Sequence, residues 1–168
     1  EILKKHSLTY HTLTWKDDFS QARNFALSQA SGKWILSLDI DERLRAEDLI
    51  RLRKLLSTSH EIAYSLSCIS LKTLDWKSDS LEIHSVNDTN TFVRLFKNGY
   101  GIKFQNPIHE TVVPSLEAQN HRFSQIDIKV YHLGYAGSRY DEKIRRNKTL
   151  LDQHFQSMEN DPSFVYYY

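Results

Sequence analysis

Asp39 and Asp41 are the residues whose types and spacing first suggest chemistry; they flank Ile40 and are followed by Glu42. On an extended chain, side chains two apart point the same way, so both carboxylates are expected to face one crevice. Immediately before them runs Trp34-Ile35-Leu36-Ser37-Leu38, a nearly continuous apolar stretch that begins after Gly32. Such a run reads as a strand buried on both faces of a parallel sheet. Acidic residues cannot continue a buried strand, so they mark its carboxyl edge, which is where open α/β sheets bind ligands. Two convergent carboxylates suit a hard divalent cation such as Mg2+ or Mn2+. That cation would balance the charge of a diphosphate and so improve it as a leaving group. The alternative is a solvated acidic turn that caps the next helix, and a bare D-x-D is common by chance. Cys68, the only cysteine, lies in the apolar stretch Ile62 to Leu71 and reads as a small buried hydrophobe. A lone cysteine excludes an intrachain disulfide and a thiolate zinc cluster, and it favours a reducing compartment.

The elements around this acidic tip can be sketched from pattern. Leu8 to Leu13 alternates roughly and reads as a strand, broken by Trp15-Lys16-Asp17-Asp18. Asp17 and Asp18 are N-cap candidates for a helix starting at Phe19 or Ser20. Phe19, Ala22, Phe25, Ala26 and Ala30 would share its apolar face, with Gly32 as the stop. Ala46 to Leu56 reads as a second helix, with Leu49, Ile50, Leu52, Leu55 and Leu56 inward and Glu47 and Asp48 favoured in its first turn. Ile62 to Leu71 reads as a strand, and Thr73 to Asn90 as a loop or irregular hairpin. Thr91 to Phe96 and Ile102 to Phe104 read as two strands joined through Asn98-Gly99. Ile126 to His132 alternates as a strand, and Tyr140 to Met158 reads as a long helix of mixed charge. The first half is therefore α/β.

The chain has 168 residues, 40% hydrophobic and 26% charged, which is the composition of a globular domain and not of a disordered chain. Lys and Arg number 22 against 21 Asp and Glu, so nothing in the bulk charge points to nucleic acid or an anionic membrane. No apolar run approaches the ~20 residues that span a bilayer. Glu1 to His6 lacks the apolar core of a signal peptide. Aromatic residues reach 12%, and such rings fill cores or form platforms for sugars.

Two segments together carry a resemblance. Trp15-Lys16-Asp17-Asp18-Phe19-Ser20-Gln21-Ala22-Arg23-Asn24, followed by Ala30-Ser31-Gly32-Lys33-Trp34 and Asp39-Ile40-Asp41-Glu42, resembles family 2 glycosyltransferases of the GT-A fold. Arg94-Leu95-Phe96-Lys97-Asn98, Ile108-His109-Glu110, His132-Leu133-Gly134-Tyr135 and the Lys143, Arg146, Asn147 set are similar to one branch of that family. The branch includes lipopolysaccharide-core β-glucosyltransferases and SunS-like enzymes. The resemblance implies an α/β, Rossmann-like GT-A domain over residues 1–168. It also implies transfer of a sugar from a nucleotide diphosphate donor, UDP above all, with inversion at a Mn2+ or Mg2+ site. The acceptor would be a glycan, a lipid-linked sugar or a peptide. By the same resemblance Asp39 lies near ribose and metal, Asp41 binds metal and diphosphate, His132 is a third metal ligand, and Arg23 sits near the nucleotide. Inversion needs a carboxylate to deprotonate the acceptor hydroxyl, and Glu110 is the candidate, with His109 beside it. Pro107 makes their backbone irregular and able to project. Trp76, Tyr100, Phe104 and Tyr135 are candidates to stack on sugar faces. Cell envelope biogenesis and a cytoplasmic location, including the inner face of the membrane, go with the branch.

The family pattern normally begins earlier, with a first strand and helix. The expectation is therefore an N-terminally incomplete domain whose apolar strand lacks a neighbour, and which self-associates through the incomplete sheet. Two other functions compete: a degenerate, non-catalytic binding module of the same fold, and a metal-dependent phosphohydrolase. The second explains D-x-D but not the Arg23-Asn24 and His109-Glu110 segments.

Overall fold

The structure, a computed structural model, describes residues 9–77, 80–132 and 140–158; for 72–77, 80–85, 87, 140–143 and 154–158 it describes the backbone alone. The elements are α1 (Phe19–Gln29), β1 (Trp34–Leu36), β2 (Glu42–Arg43), α2 (Ala46–Thr58), β3 (Ala63–Lys77), β4 (Ser80–Lys97), α3 (Val113–Glu117), β5 (Phe123–His132) and α4 (Tyr140–Met158). The strands form one sheet in the order β1-β4-β3-β5-β2. Only β3 and β5 run parallel; the other three pairings are antiparallel. The expected α/β character is observed, but the sheet is mixed and not chiefly parallel.

Local chemistry explains the helices. Asp18 caps α1: its Oδ1 accepts the Gln21 amide at 2.9 Å and the Ser20 hydroxyl at 2.7 Å, relieving one of the orphan donors of the first turn. The helix stops at Gln29, before Gly32, because Ala30 is already extended. Its expected apolar face is only partly used, since Ala26 and Ala30 are exposed. α2 buries Leu52 and half-buries Leu55 and Leu56, while Leu49 and Ile50 stay exposed. No helix among the described residues is long and apolar enough to cross a membrane.

The sheet is packed on both faces. On the α2 side, Tyr64, Leu66 and Cys68 alternate inward along β3 and meet Leu52, Leu95, Ile128 and Val130. On the other side, Val93 and Phe96 meet Ile102, Phe104, Val112 and Leu116, with Leu27 of α1 packed against them. Cys68 is buried as read from the sequence, and burial pushes its thiol above the ordinary value.

Three sequence expectations are corrected. β1 is a half-buried edge strand, antiparallel to β4, with Trp34 opposite Lys97 and Leu36 opposite Leu95. An apolar run reports burial but not the direction of its neighbour. Residues 9–13 are irregular and exposed, and no described strand pairs with them. Of the two readings for Thr73 to Asn90, loop or irregular hairpin, the hairpin is observed: β3 and β4 pair from Ala63–Phe96 out to Lys77–Ser80, with bulges. A ladder bonds through backbone groups and needs no apolar period. Asn98-Gly99 does turn, with Gly99 at φ 84 where only glycine is at ease. However, Ile102 to Phe104 is not a strand; it is buried irregular chain.

Candidate active site

Arg23 projects from the middle of α1 and gathers three groups. Its Nη2 donates to Asp39 Oδ1 at 2.7 Å, its Nη1 to Ser37 Oγ at 3.1 Å, and its Nε to Glu110 Oε1. Three residues singled out from the sequence, Arg23, Asp39 and Glu110, thus meet around one guanidinium. Burial alone would lower the Arg23 pKa, but Glu110 and Asp39 outweigh it and raise the value. Burial alone would likewise push the Asp39 carboxyl up, yet Arg23 and Arg94 hold it below its ordinary 3.8.

Glu110 reaches Arg23 because its loop is stitched to α1. Asn24, next along the helix, accepts the Phe104 amide and donates to the Phe104 carbonyl, both at 2.8 Å. The Phe19 amide donates to the Pro107 carbonyl at 2.8 Å. Gln105 and Thr111 exchange backbone bonds at 2.8 and 3.0 Å, closing the loop with His109 and Glu110 near its tip. Ile108 anchors it from below against Leu150 of α4, Leu151 and Phe19. The irregular backbone expected after Pro107 is observed, with His109 at φ 55; Asn106, just before the proline, takes φ 75. Asn24→Ala is therefore expected to lower stability by about 1–3 kcal/mol, because it orphans both backbone groups of buried Phe104. Urea unfolding of the two proteins measures this; a loss within error would show that the loop is held without Asn24.

The acidic tip is a turn, not a continued strand. The Glu42 amide donates to the Asp39 carbonyl at 3.0 Å, and Ile40 stands almost fully exposed at the corner. The alternation argument for Asp39 and Asp41 therefore does not apply, and the two carboxylates have different partners. Asp39 faces Arg23, while Asp41 Oδ2 lies 3.2 Å from His132 Nε2. That second contact follows from the pairing of β2 with β5, which sets Glu42 opposite His132.

Two further residues belong to the site and carried no assigned role in the sequence. Glu42 is buried, its side chain only 2% exposed; Oε1 accepts Arg94 Nη2 at 2.9 Å and Oε2 accepts the Asp39 amide at 2.8 Å. Arg94 Nη2 also stands 3.8 Å from Asp39 Oδ2. The readable signal was Arg94 itself, a charge set inside Phe92-Val93-Arg94-Leu95-Phe96.

Other candidates stand apart. Trp76 lies on β3 opposite Leu81, beyond Ser70, the residue that pairs with His132. At ~3.3 Å per residue it is about 20 Å further along the strand, so it is not brought to the crevice. Tyr135 lies outside the described residues. His109 is exposed beside Glu110, and Tyr100 is 42% exposed and meets His121 edge-on. Phe104 is buried under the Arg23 guanidinium, whose carbon is 5.4 Å from the ring centre. A cleft of about 570 Å³ lined by Lys33, His60, Lys97 and Tyr100 opens at the other end of β1; of the candidates it holds Tyr100 alone.

Among the described residues no three His, Cys, Asp or Glu side chains form a ready cage for a metal ion. The donor set nonetheless suits one. Asp41 and His132 offer a carboxylate and an imidazole at contact distance. Mg2+ and ions like it are commonly held by one or two protein groups plus substrate phosphates, which needs no full cage.

Comparison with known proteins agrees with this arrangement. Residues 1–112 match the family model for glycosyl transferase family 2. The chain is 33% identical over 135 residues to a TPR repeat-containing protein of Synechococcus elongatus, an alignment covering 77% of this chain and 31% of the relative. It is 26% identical over 161 residues to the SPbeta prophage-derived glycosyltransferase SunS of Bacillus subtilis, covering 92% of this chain and 35% of SunS. The glycosyltransferase SunS of Bacillus phage SPbeta matches to the same extent. The chain thus spans about a third of the length of these relatives. The matched span holds the α1 arginine, the acidic turn after β1 and the Glu110 loop, and the mixed α/β sheet around them is consistent with part of a GT-A domain. On this evidence the chain belongs to glycosyl transferase family 2.

Proposed function

We propose that the crevice beside Asp39 and Asp41 binds a nucleotide diphosphate sugar, UDP-linked, and that the chain serves an enzyme passing that sugar to a hydroxyl of a glycan, lipid-linked or peptide acceptor with inversion. The observation that carries this reading is the convergence of Arg23, Asp39 and Glu110, beside the Asp41–His132 pair. The name of the SunS relatives supports it. Arg23, already turned toward two carboxylates, would take diphosphate oxygens, for which a guanidinium fork is suited. Asp39 would meet the ribose. Glu110 would take the proton of the acceptor hydroxyl as its oxygen bonds the anomeric carbon; the electron pair of the breaking bond leaves with the diphosphate. Asp41 and His132 would hold Mn2+ or Mg2+, whose role when bound is to balance the charge of that leaving group.

The test is calorimetric titration of UDP into the full protein with and without Mn2+. Binding that requires Mn2+ and weakens at least about tenfold in Asp41→Ala is expected. Absence of any metal-dependent nucleotide binding by the unaltered protein would sink the reading. A second reading, a binding module without catalysis, draws on the saturation of Arg23 by Glu110 and Asp39. It would be favoured by nucleotide binding without transfer or release of sugar.

A further inference from the structure

We propose that the Glu42–Arg94 pair is a positioning clamp: it holds the Asp39–Asp41 turn in the geometry that cation and donor require. This rests on the proposed donor-site reading. Each oxygen of Glu42 has a separate duty. Oε2 takes the Asp39 amide at 2.8 Å, and Oε1 takes Arg94 Nη2 at 2.9 Å. The Glu42 amide in turn donates to the Asp39 carbonyl at 3.0 Å, so the turn is closed from both ends. Arg94 is itself fixed by the sheet, because its carbonyl accepts the Ser37 amide at 2.8 Å as β1 runs out toward the acidic tip. The same guanidinium approaches the free oxygen of Asp39 at 3.8 Å. Through the β2–β5 pairing, Glu42 also sets the level at which Asp41 meets His132.

A structural role alone does not account for this. A carboxylate 2% exposed is costly to bury, and an apolar pair of the same volume stabilises a fold as well or better. What an apolar pair cannot supply is an acceptor for the Asp39 amide. Arg94 Nε, buried and without a hydrogen-bond partner among the described residues, adds to the cost of keeping the pair there. Position, not stability, is what the pair contributes.

The experiment compares the full protein with Arg94→Met, Glu42→Gln and the double variant Glu42→Leu with Arg94→Met. The readouts are thermal midpoint, Mn2+ affinity by electron paramagnetic resonance, and exchange of the Asp39 amide by NMR. Arg94→Met is expected to lower the midpoint, because it leaves a buried carboxylate alone. The double variant is expected to regain that midpoint yet bind Mn2+ about 10- to 100-fold more weakly. Its Asp39 amide should exchange at least about tenfold faster, having lost its acceptor. A double variant with unaltered Mn2+ affinity and Asp39 protection would show the pair to be structural only. Should the double variant fail to fold, Glu42→Gln decides: weaker Mn2+ binding with faster Asp39 exchange supports the clamp, and neither change overturns it. If the unaltered protein takes up no Mn2+ with UDP present, the donor-site reading falls by itself; Asp39 exchange then judges the clamp, and unchanged exchange in the variants overturns it.

Discussion

On the proposed reading, Glu110→Gln is expected to reduce sugar transfer by a factor of about 10² to 10⁴, the range that a positioned base contributes, with the fold and donor binding retained. Gln keeps an oxygen where Glu110 accepts from Arg23 Nε, so the loop stays anchored by that bond and by Asn24. What is lost is the capacity to accept a proton. Steady-state kinetics with the intact protein and an acceptor should show the loss in kcat, with KM for the donor little changed. Transfer at an unaltered rate would remove Glu110 from the chemistry and leave it as a partner of Arg23. The same variant made at His109, exposed at φ 55 beside it, separates the two candidates.

Arg23→Met should clearly destabilise the folded state. It leaves Glu110 and Asp39 without their shared cation in a crevice where the Arg23 and Glu110 side chains are 18% and 13% exposed. The expected cost is about 2–3 kcal/mol at neutral pH, below that of a fully buried pair. The effect has a pH signature. The Asp39 pKa is depressed in the fold, chiefly by Arg23 and Arg94 against the opposing effect of burial. Its contribution is therefore complete above its ordinary value near 3.8 and fades as pH falls through the lower folded value. Urea midpoints of parent and variant should differ most near neutrality and draw together in acid. A gap that stays constant down to pH 2 would show that the Arg23 contribution is packing, including its contact with Phe104, and not charge.

The sequence was legible where one residue decides an outcome. Asp18 placed the start of α1, and Tyr140 to Met158 gave the bounds of α4 as observed. The acidic tip was readable because carboxylates cannot continue an apolar strand. Strand partners were not readable. β1 shows the same apolar run whether its neighbour is parallel or antiparallel, and the neighbour comes from the distant β4. The outer part of β3–β4 has no apolar rhythm, so it read equally as a loop or an irregular hairpin. The meeting of Arg23 with Glu110, 87 positions apart, came into view only through the resemblance, since no local pattern links them. Glu42 was quoted as part of an acidic cluster, but its burial depends on Arg94 arriving from another strand.

β3 and β4 are 15 and 18 residues long, yet β5 accompanies β3 only as far as Ser70, and β1 accompanies β4 only at Leu95–Lys97. From Leu71 outward the two strands run as a ribbon of about 20 Å that no other described strand accompanies. None of the crevice residues with described contacts lies on it. Its length can therefore drift between relatives without disturbing the chemistry. The drift has a grammar: additions matched on both strands and made in twos keep each face where it was, while a single inserted residue exchanges the faces of everything beyond it. A bulge, of which the ladder already carries several, is the form in which an odd residue can be absorbed.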